Sequence, residues 1–201
     1  MAGSSPSALL MLALAAAAPA ALGAAPPGSR LPITLDAQSV EGGLNGGVQV
    51  FHKVKIVQGP MSIAADLGQA SGIDFDNSVW TFRGNVKVGM NQGQLTADDA
   101  EITFTNSELR KAVVNGKPAT FEQRVQKTGK LAQGRADVID YDVASGLVHL
   151  SKNAWVSDGQ NEIRGESLKY NVTAQSIVAD STEQSQQRVR IIITPPPASK
   201  P

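Results

Sequence analysis

Cysteine is absent from all 201 residues. That excludes disulfides, thiolate metal sites, a cysteine nucleophile and a lipid-modified N-terminal Cys. Aromatic residues make up only 4% of the chain, so no large aromatic-rich core is expected. Net charge is missing too, because 18 Lys and Arg balance 18 Asp and Glu. A neutral chain lacks the broad basic field that non-specific nucleic-acid binding needs, and no nucleic-acid partner is expected. Histidine is scarce. His52 and His149 lie far apart, and neither has a second ligand at i+2 or i+4, so they read as sheet-face residues and not as a metal site. No Gly-x-Ser-x-Gly elbow, Walker loop or dinucleotide fingerprint occurs. Neither a metal nor an organic cofactor is expected.

The long apolar run sits near the N-terminus. "ALLMLALAAAAPAALGAA" (8–25) is rich in Ala, broken by Pro19, and ends in small residues that suit a signal peptidase, with cuts after Ala20 or Gly23. Residues 1–24 are therefore expected to be a signal peptide, in preference to a spanning helix, although no Lys or Arg precedes Arg30 to form a basic flank. Export without a lipid-anchor Cys implies a soluble mature protein. "APPGSR" (25–30) reads as a linker, 31–194 as one domain and 195–201 as a Pro-rich tail.

Past the linker the apolar residues recur with period two, the mark of strands. Val86, Val88 and Met90 alternate with Lys87 and Gly89; Ile102 and Phe104 alternate with Glu101 and Thr103; Leu168 and Tyr170 flank Lys169. Turn signals fall at Gly42-Gly43, Asn45-Gly46-Gly47, Asp76-Asn77, Asn115-Gly116, Ala144-Ser145-Gly146 and Asp158-Gly159. "GKPATF" (116–121) reads as a β-turn entering a strand. No amphipathic helix longer than two turns is evident, and the fold class is all-β, built from repeated hairpins.

"GQLTADDAEITF" (93–104) crowds Asp98, Asp99 and Glu101 together, in the manner of an acid–base site. An internal repeat points elsewhere. Val54 leads to Asp66, Val86 to Asp98, Val125 to Asp137 and Ala154 to Glu166, each across a step of twelve residues. Each unit reads as strand, turn, strand, carboxylate, strand. Repeated copies of one catalytic residue in one chain are improbable, whereas a carboxylate at every strand bend is ordinary, because Asp resists strand interiors and bonds nearby backbone amides. No catalytic residue is assigned. Trp80 and Trp155 could stack on sugars from an outer face, which keeps a carbohydrate-binding or adhesive β-module as the alternative reading.

"QGPMSIAAD" (58–66), "FRGNVKV" (82–88), "GKPATF" (116–121), Gly129-Lys130, "QGRAD" (133–137), "VHLSKNAW" (148–155) and "IRGESLKY" (163–170) occur in order. Together they resemble the OstA-like family, over residues 31–195. In the first unit His52-Lys53 stands where that family usually shows Gly-Asn, and the loop after Asp66 has drifted.

The resemblance implies an open, twisted, antiparallel β-jelly-roll that hydrolyses nothing. It implies a periplasmic carrier of lipopolysaccharide from the inner to the outer membrane, contributing to outer-membrane assembly. The implied partners are the lipid A part of lipopolysaccharide, further copies stacked head to tail, and related jelly-roll domains at both membranes. Each acyl methylene exposed to water costs about 0.8 kcal/mol. A dozen-carbon chain would cost about 10 kcal/mol, which an apolar trough removes. On the resemblance, the trough is lined by the inward strand positions: Ile56, Met61, Ile63, Phe82, Val86, Val88, Leu95, Ile102, Phe104, Phe121, Ile139, Tyr141, Leu150, Ile163 and Leu168. The alternation alone favours an ordinary closed sandwich core, and the resemblance reverses that. The last strand, "RVRIIITPPP" (188–197), has Val189, Ile191 and Ile193 on one side and Ile192 on the other. As an edge only partly blunted by Arg188 and Arg190, it is expected to pair with the N-terminal strand of the next copy, near Ile33 and Leu35.

Overall fold

The computed structural model describes residues 31–42, 47–71, 75–90, 93–124, 129–174, 176–180 and 188–194, less the Asp180 side chain. The apolar 8–25 run, the linker, Val125 and the Pro-rich tail lie outside the described residues. Period-two patterning becomes β1 (Thr34–Asp36), β2 (Ser39–Glu41), β3 (Gln49–Gln58), β4 (Met61–Ala70), β5 (Val79–Met90), β6 (Gly93–Thr105), β7 (Glu108–Arg124), β8 (Leu131–Asp142), β9 (Leu147–Ser157), β10 (Asn161–Asn171), β11 (Ser176–Asp180) and β12 (Arg190–Ile193). All pairings are antiparallel. Strands β3 to β11 follow one another in sheet order, β1 and β2 both pair with β3, and β12 pairs with β10 beside β11.

The long strands change direction in their middles. In β6, Leu95 and Ala97 point inward, Asp98 and Asp99 are exposed, and Ala100, Ile102 and Phe104 point inward again. The inward set therefore jumps from odd to even positions across the two aspartates. The same slip occurs at Asp66-Leu67 in β4, at Asp137-Val138 in β8 and at Glu166-Ser167 in β10. Register breaks stand at these places in the pairings from β4 to β10. An extra residue bends a strand and unpairs it locally, and here the bends align into one line across the sheet.

The repeated carboxylates thus mark bends, as expected, but inside single strands and not between two successive ones, which corrects their place in the repeat. "GKPATF" is corrected likewise. It is no turn between strands but the mid-strand break of β7, between Asn115 and Ala119, with a cis Lys117–Pro118 bond. In the other hairpins the arm opposite the carboxylate bends through left-handed residues: Gly84 and Asn85 (φ 74° and 50°) in β5, and Lys152 and Asn153 (φ 63° and 57°) in β9. At His52-Lys53 only Lys53 is left-handed, at φ 50°. A Lys side chain disfavours that region. Its Nζ is held 2.6 Å from Asp66, across the bend.

This bend line, the spine, divides the sheet into two walls. Wall I holds β1, β12 and the halves of the long strands that pair with them; wall II holds β2, β11 and the other halves. The walls face each other across one apolar core, and Phe121 of wall I stacks on Tyr170 of wall II at 6.1 Å. The sheet stays open and is not a barrel: β1 and β2 end it on one side, β11 and β12 on the other.

Candidate functional site

Two inner rows cross the whole sheet, partner to partner. In wall I the row is Leu35, Ile56, Ile63, Val88, Leu95, Phe121, Gly134, Val156, Ile163 and Ile191. In wall II it is Val40, Phe51, Gly68, Phe82, Ala100, Val114, Ile139, Leu150, Leu168 and Ala179. Neither row contains a polar side chain. The two glycines sit where rings cross over them. A Cβ on Gly134 would collide with the Phe121 ring, and one on Gly68 would press on Val54 at 3.0 Å and Phe82 at 3.3 Å.

The residues expected to line a trough all face this interior. Ile56, Met61, Ile63, Val86, Val88, Leu95, Phe121 and Ile163 belong to wall I; Phe82, Ile102, Phe104, Ile139, Tyr141, Leu150 and Leu168 belong to wall II. Tyr141 and Ile163 are half-buried and the rest are buried, so the two walls rest on each other. Sequence reasoning missed Phe51, Trp80, Val114, Val148 and Val156, which complete the lining. Their alternation with neighbours already named, such as Trp80 with Phe82, was the available signal.

The tips of the walls, opposite the spine, form a mouth. At its β3 end the mouth is fastened: the Gln58 side-chain amide, from wall I, donates to the Ser107 carbonyl of wall II at 2.9 Å. Phe75 caps the same end, stacked on Trp80 at 4.8 Å and edge-on to Phe104 at 5.0 Å. In the middle the mouth parts slightly. A cavity of about 60 Å³ lies between Val88, Leu95 and Phe121 on one wall and Tyr141 and Val148 on the other. Ligand pockets usually hold roughly 300 Å³ or more, so an acyl chain enters only if the walls move apart. Burial raises the pKa of both Tyr141 and Tyr170 above the ordinary phenol value.

Trp80 is fully buried, with its indole N–H donating to Ser78 Oγ at 3.2 Å. It therefore cannot serve as an outer sugar platform, contrary to the alternative reading. Trp155 does face outward. The Arg135 guanidinium lies 4.9 Å above its ring, and its N–H donates to Glu162 at 3.0 Å. Hydrogen bonds from Trp155 and then Arg164 hold the Glu162 carboxyl below its ordinary range.

Two of the repeated carboxylates, Asp66 and Asp137, are fasteners. Asp66 accepts from Lys53 and from Asn85 Nδ2, both at 2.6 Å, and these bonds lower its pKa. Asp137 accepts from Asn153 Nδ2 at 3.0 Å, again across the bend. Asp98, Asp99 and Glu101 lie on the outer surface, not in a cleft. His149 shares a 2.8 Å hydrogen bond with Ser167 Oγ, and among the described residues no cluster of metal-ligating side chains forms.

At the edges the lining is uncovered. Ile33 and Leu35 are half-buried against the core, as is Val189 in its own surroundings. Ile191 and Ile193, in the inward phase, are 60% and 73% exposed, and Ile192 is 38% exposed on the outer side.

A family profile described as LptA/(LptD N-terminal domain) LPS transport protein matches residues 68–176. The lipopolysaccharide export system protein LptA of Escherichia coli K12 is 33% identical over 138 residues, covering 68% of this chain and 71% of that protein. Its namesake from Haemophilus influenzae is 28% identical over 142 residues, covering 69% and 79% respectively. Among solved structures, LptH of Pseudomonas aeruginosa, titled the LptA-homologous periplasmic component of the lipopolysaccharide transport device, superposes with a TM-score of 0.53. It is 22% identical and the match covers 82% of this chain and 96% of that one, a likeness of fold.

Proposed function

The chain belongs to the LptA/LptD N-terminal-domain family of lipopolysaccharide transport proteins, and from that premise we propose that it carries lipopolysaccharide through the periplasm by holding the acyl chains between its two walls. The observation that carries this is the pair of inner rows, apolar from one sheet edge to the other. Acyl chains moving along such a lining exchange one apolar contact for another, so no step exposes methylenes at about 0.8 kcal/mol each. Loading opens the mouth where Val88, Leu95 and Phe121 face Tyr141 and Val148. The spine, with its unpaired bulges and left-handed residues, is the natural hinge. The family is one of transport proteins and not of enzymes.

The same reading includes export of residues 25–201 after cleavage of the apolar leader. It also includes head-to-tail stacking of copies, with β12 of one meeting β1 of the next, so that inner rows become continuous. Such a contact is heterologous and propagates instead of closing a dimer. The end copies would meet related jelly-rolls at the two membranes.

Photo-crosslinking residues at Ile63, Phe104 and Leu150 test the path. In cells they should label with lipopolysaccharide, while Lys87 and Lys169, on the outer face, should not. Equal labelling of both faces would overturn an interior path. N-terminal sequencing of the periplasmic protein should give a start between Ala21 and Ala25.

A further inference from the structure

We propose that copies of this chain join at one fixed antiparallel register, in which Arg190 of one copy lies directly opposite Asp36 of the next. This deepens the head-to-tail reading above and rests on it. Strand direction comes first. β1 pairs Thr34 with Val57 and Asp36 with Lys55, so it runs from the mouth toward the spine. β12 pairs Arg190 with Arg164 and Ile193 with Asn161, so it runs from the spine toward the mouth. Both lie in wall I. A second copy in the same orientation therefore presents its β1 antiparallel to β12. In wall II, β11 runs toward the spine and β2 away from it, so that joint is antiparallel too.

Register comes from the lateral rows. Asp36 and Arg190 are the two ends of a single outer row. It passes partner to partner through Lys55, Lys87, Thr120 and Arg164. Continuing the sheet without a step sets Arg190 beside the next Asp36 on the outer face. On the inner face it sets Ile191 beside the next Leu35, and in wall II Ala179 beside the next Val40. A one-residue slip would turn Ile191 and Leu35 to opposite faces.

Charge selects among the slips that keep the faces. Arg190 neighbours Arg164 in its own sheet, and Arg164 is already bonded to Glu162 at 3.0 Å. Arg135, Arg164, Arg188 and Arg190 line one hollow of about 400 Å³, and no carboxylate lines it among the described residues. Asp36 is exposed beside Lys55 and, like Arg190, makes no ion pair with a described residue. The guanidinium-rich tail edge and the carboxylate on the head edge thus complete each other. Unlike charges directly opposed stabilise a strand pair and like charges weaken it.

The test is charge reversal, read by sedimentation of the full mature chain over a concentration series at low salt, with circular dichroism to verify folding. The unaltered protein should grow in mass with concentration. Asp36→Arg alone and Arg190→Asp alone each set like charges at every self-joint, and each should weaken association about tenfold, or about 1.4 kcal/mol. An equimolar mixture of the two variants should assemble again, because the tail of each now complements the head of the other. The double variant should assemble by itself. Assembly of each single variant at the original affinity would overturn this register and leave the head-to-tail reading standing. An unaltered protein that stays monomeric at all concentrations would overturn both.

Discussion

The middle of the sheet and its ends are lined by the same residue types but differ in what covers them. Ile56, Ile63 and Val88 lie in one inner row and are buried by the opposite wall; Ile191, at the end of that row, is mostly exposed. In the middle, apolar side chains hold the fold together. At the ends the same chemistry waits for a neighbour. An inner row is thus a core at one place and a contact surface at another, and substitution separates the two.

The largest effect should come from the middle. Phe82→Ala removes a ring packed between Trp80 and Gly68 and should lower stability by about 3–5 kcal/mol, seen in chemical denaturation. A loss below 1 kcal/mol would mean that the walls are not packed together in solution. Gly134→Ala adds only a methyl, but it lands on the Phe121 ring, and a cost of about 1–3 kcal/mol is expected from the same measurement. Bound lipid should shrink that difference if the walls part, since Phe121 then has room to turn.

Asp66 lies on the outer surface, and its effect should be smaller and confined by pH. Its folded pKa is lowered from the ordinary 3.8 by Lys53 and Asn85. A lowered carboxyl pKa contributes stability above the unfolded value, and that contribution is lost as pH falls through the folded value. Asp66→Asn should therefore be less stable than the parent at neutral pH, and the two should converge below pH 3.8. A gap that persists undiminished in acid would assign the loss to shape and not to charge. The smallest effect on stability should come from the edge. Ile193→Ser should change unfolding by less than about 0.5 kcal/mol, yet weaken the concentration-dependent growth in mass. An edge substitution that destabilises the single copy would erase the distinction between middle and ends.

Local alternation was legible in the sequence; the phase slip was less so. Read with a fixed period, Leu95 and Ile102 fall on opposite faces, and only the bulge at Asp98-Asp99 returns both to the interior. The recurring carboxylate was visible, but its place within a strand was not, because a bulge and a turn share the same small polar residues. "GKPATF" was mistaken for that reason. Trp80 faces outward only in the carbohydrate-binding alternative; its alternation with Phe82 places it inward, but Phe51, which stacks on it, lies far off along the chain. Which wall faces which depends on side chains far apart along the chain, such as Phe121 and Tyr170, and no local pattern encodes that.

The meander order has a consequence for how the chain reaches this fold. From β3 to β11 each strand finds its partner in the segment just before it. A growing sheet therefore needs no distant segment to arrive before it can extend, and each hairpin closes a short loop at low entropic cost. Chain emerging slowly from one end could zip up as it appears, adding a bent strand at a time. At the head β1 steps past β2 to reach β3, and at the tail β12 steps past β11 to reach β10. The strand that finishes the tail edge is thus the last to be placed, and an incomplete chain has no finished edge to offer a neighbour.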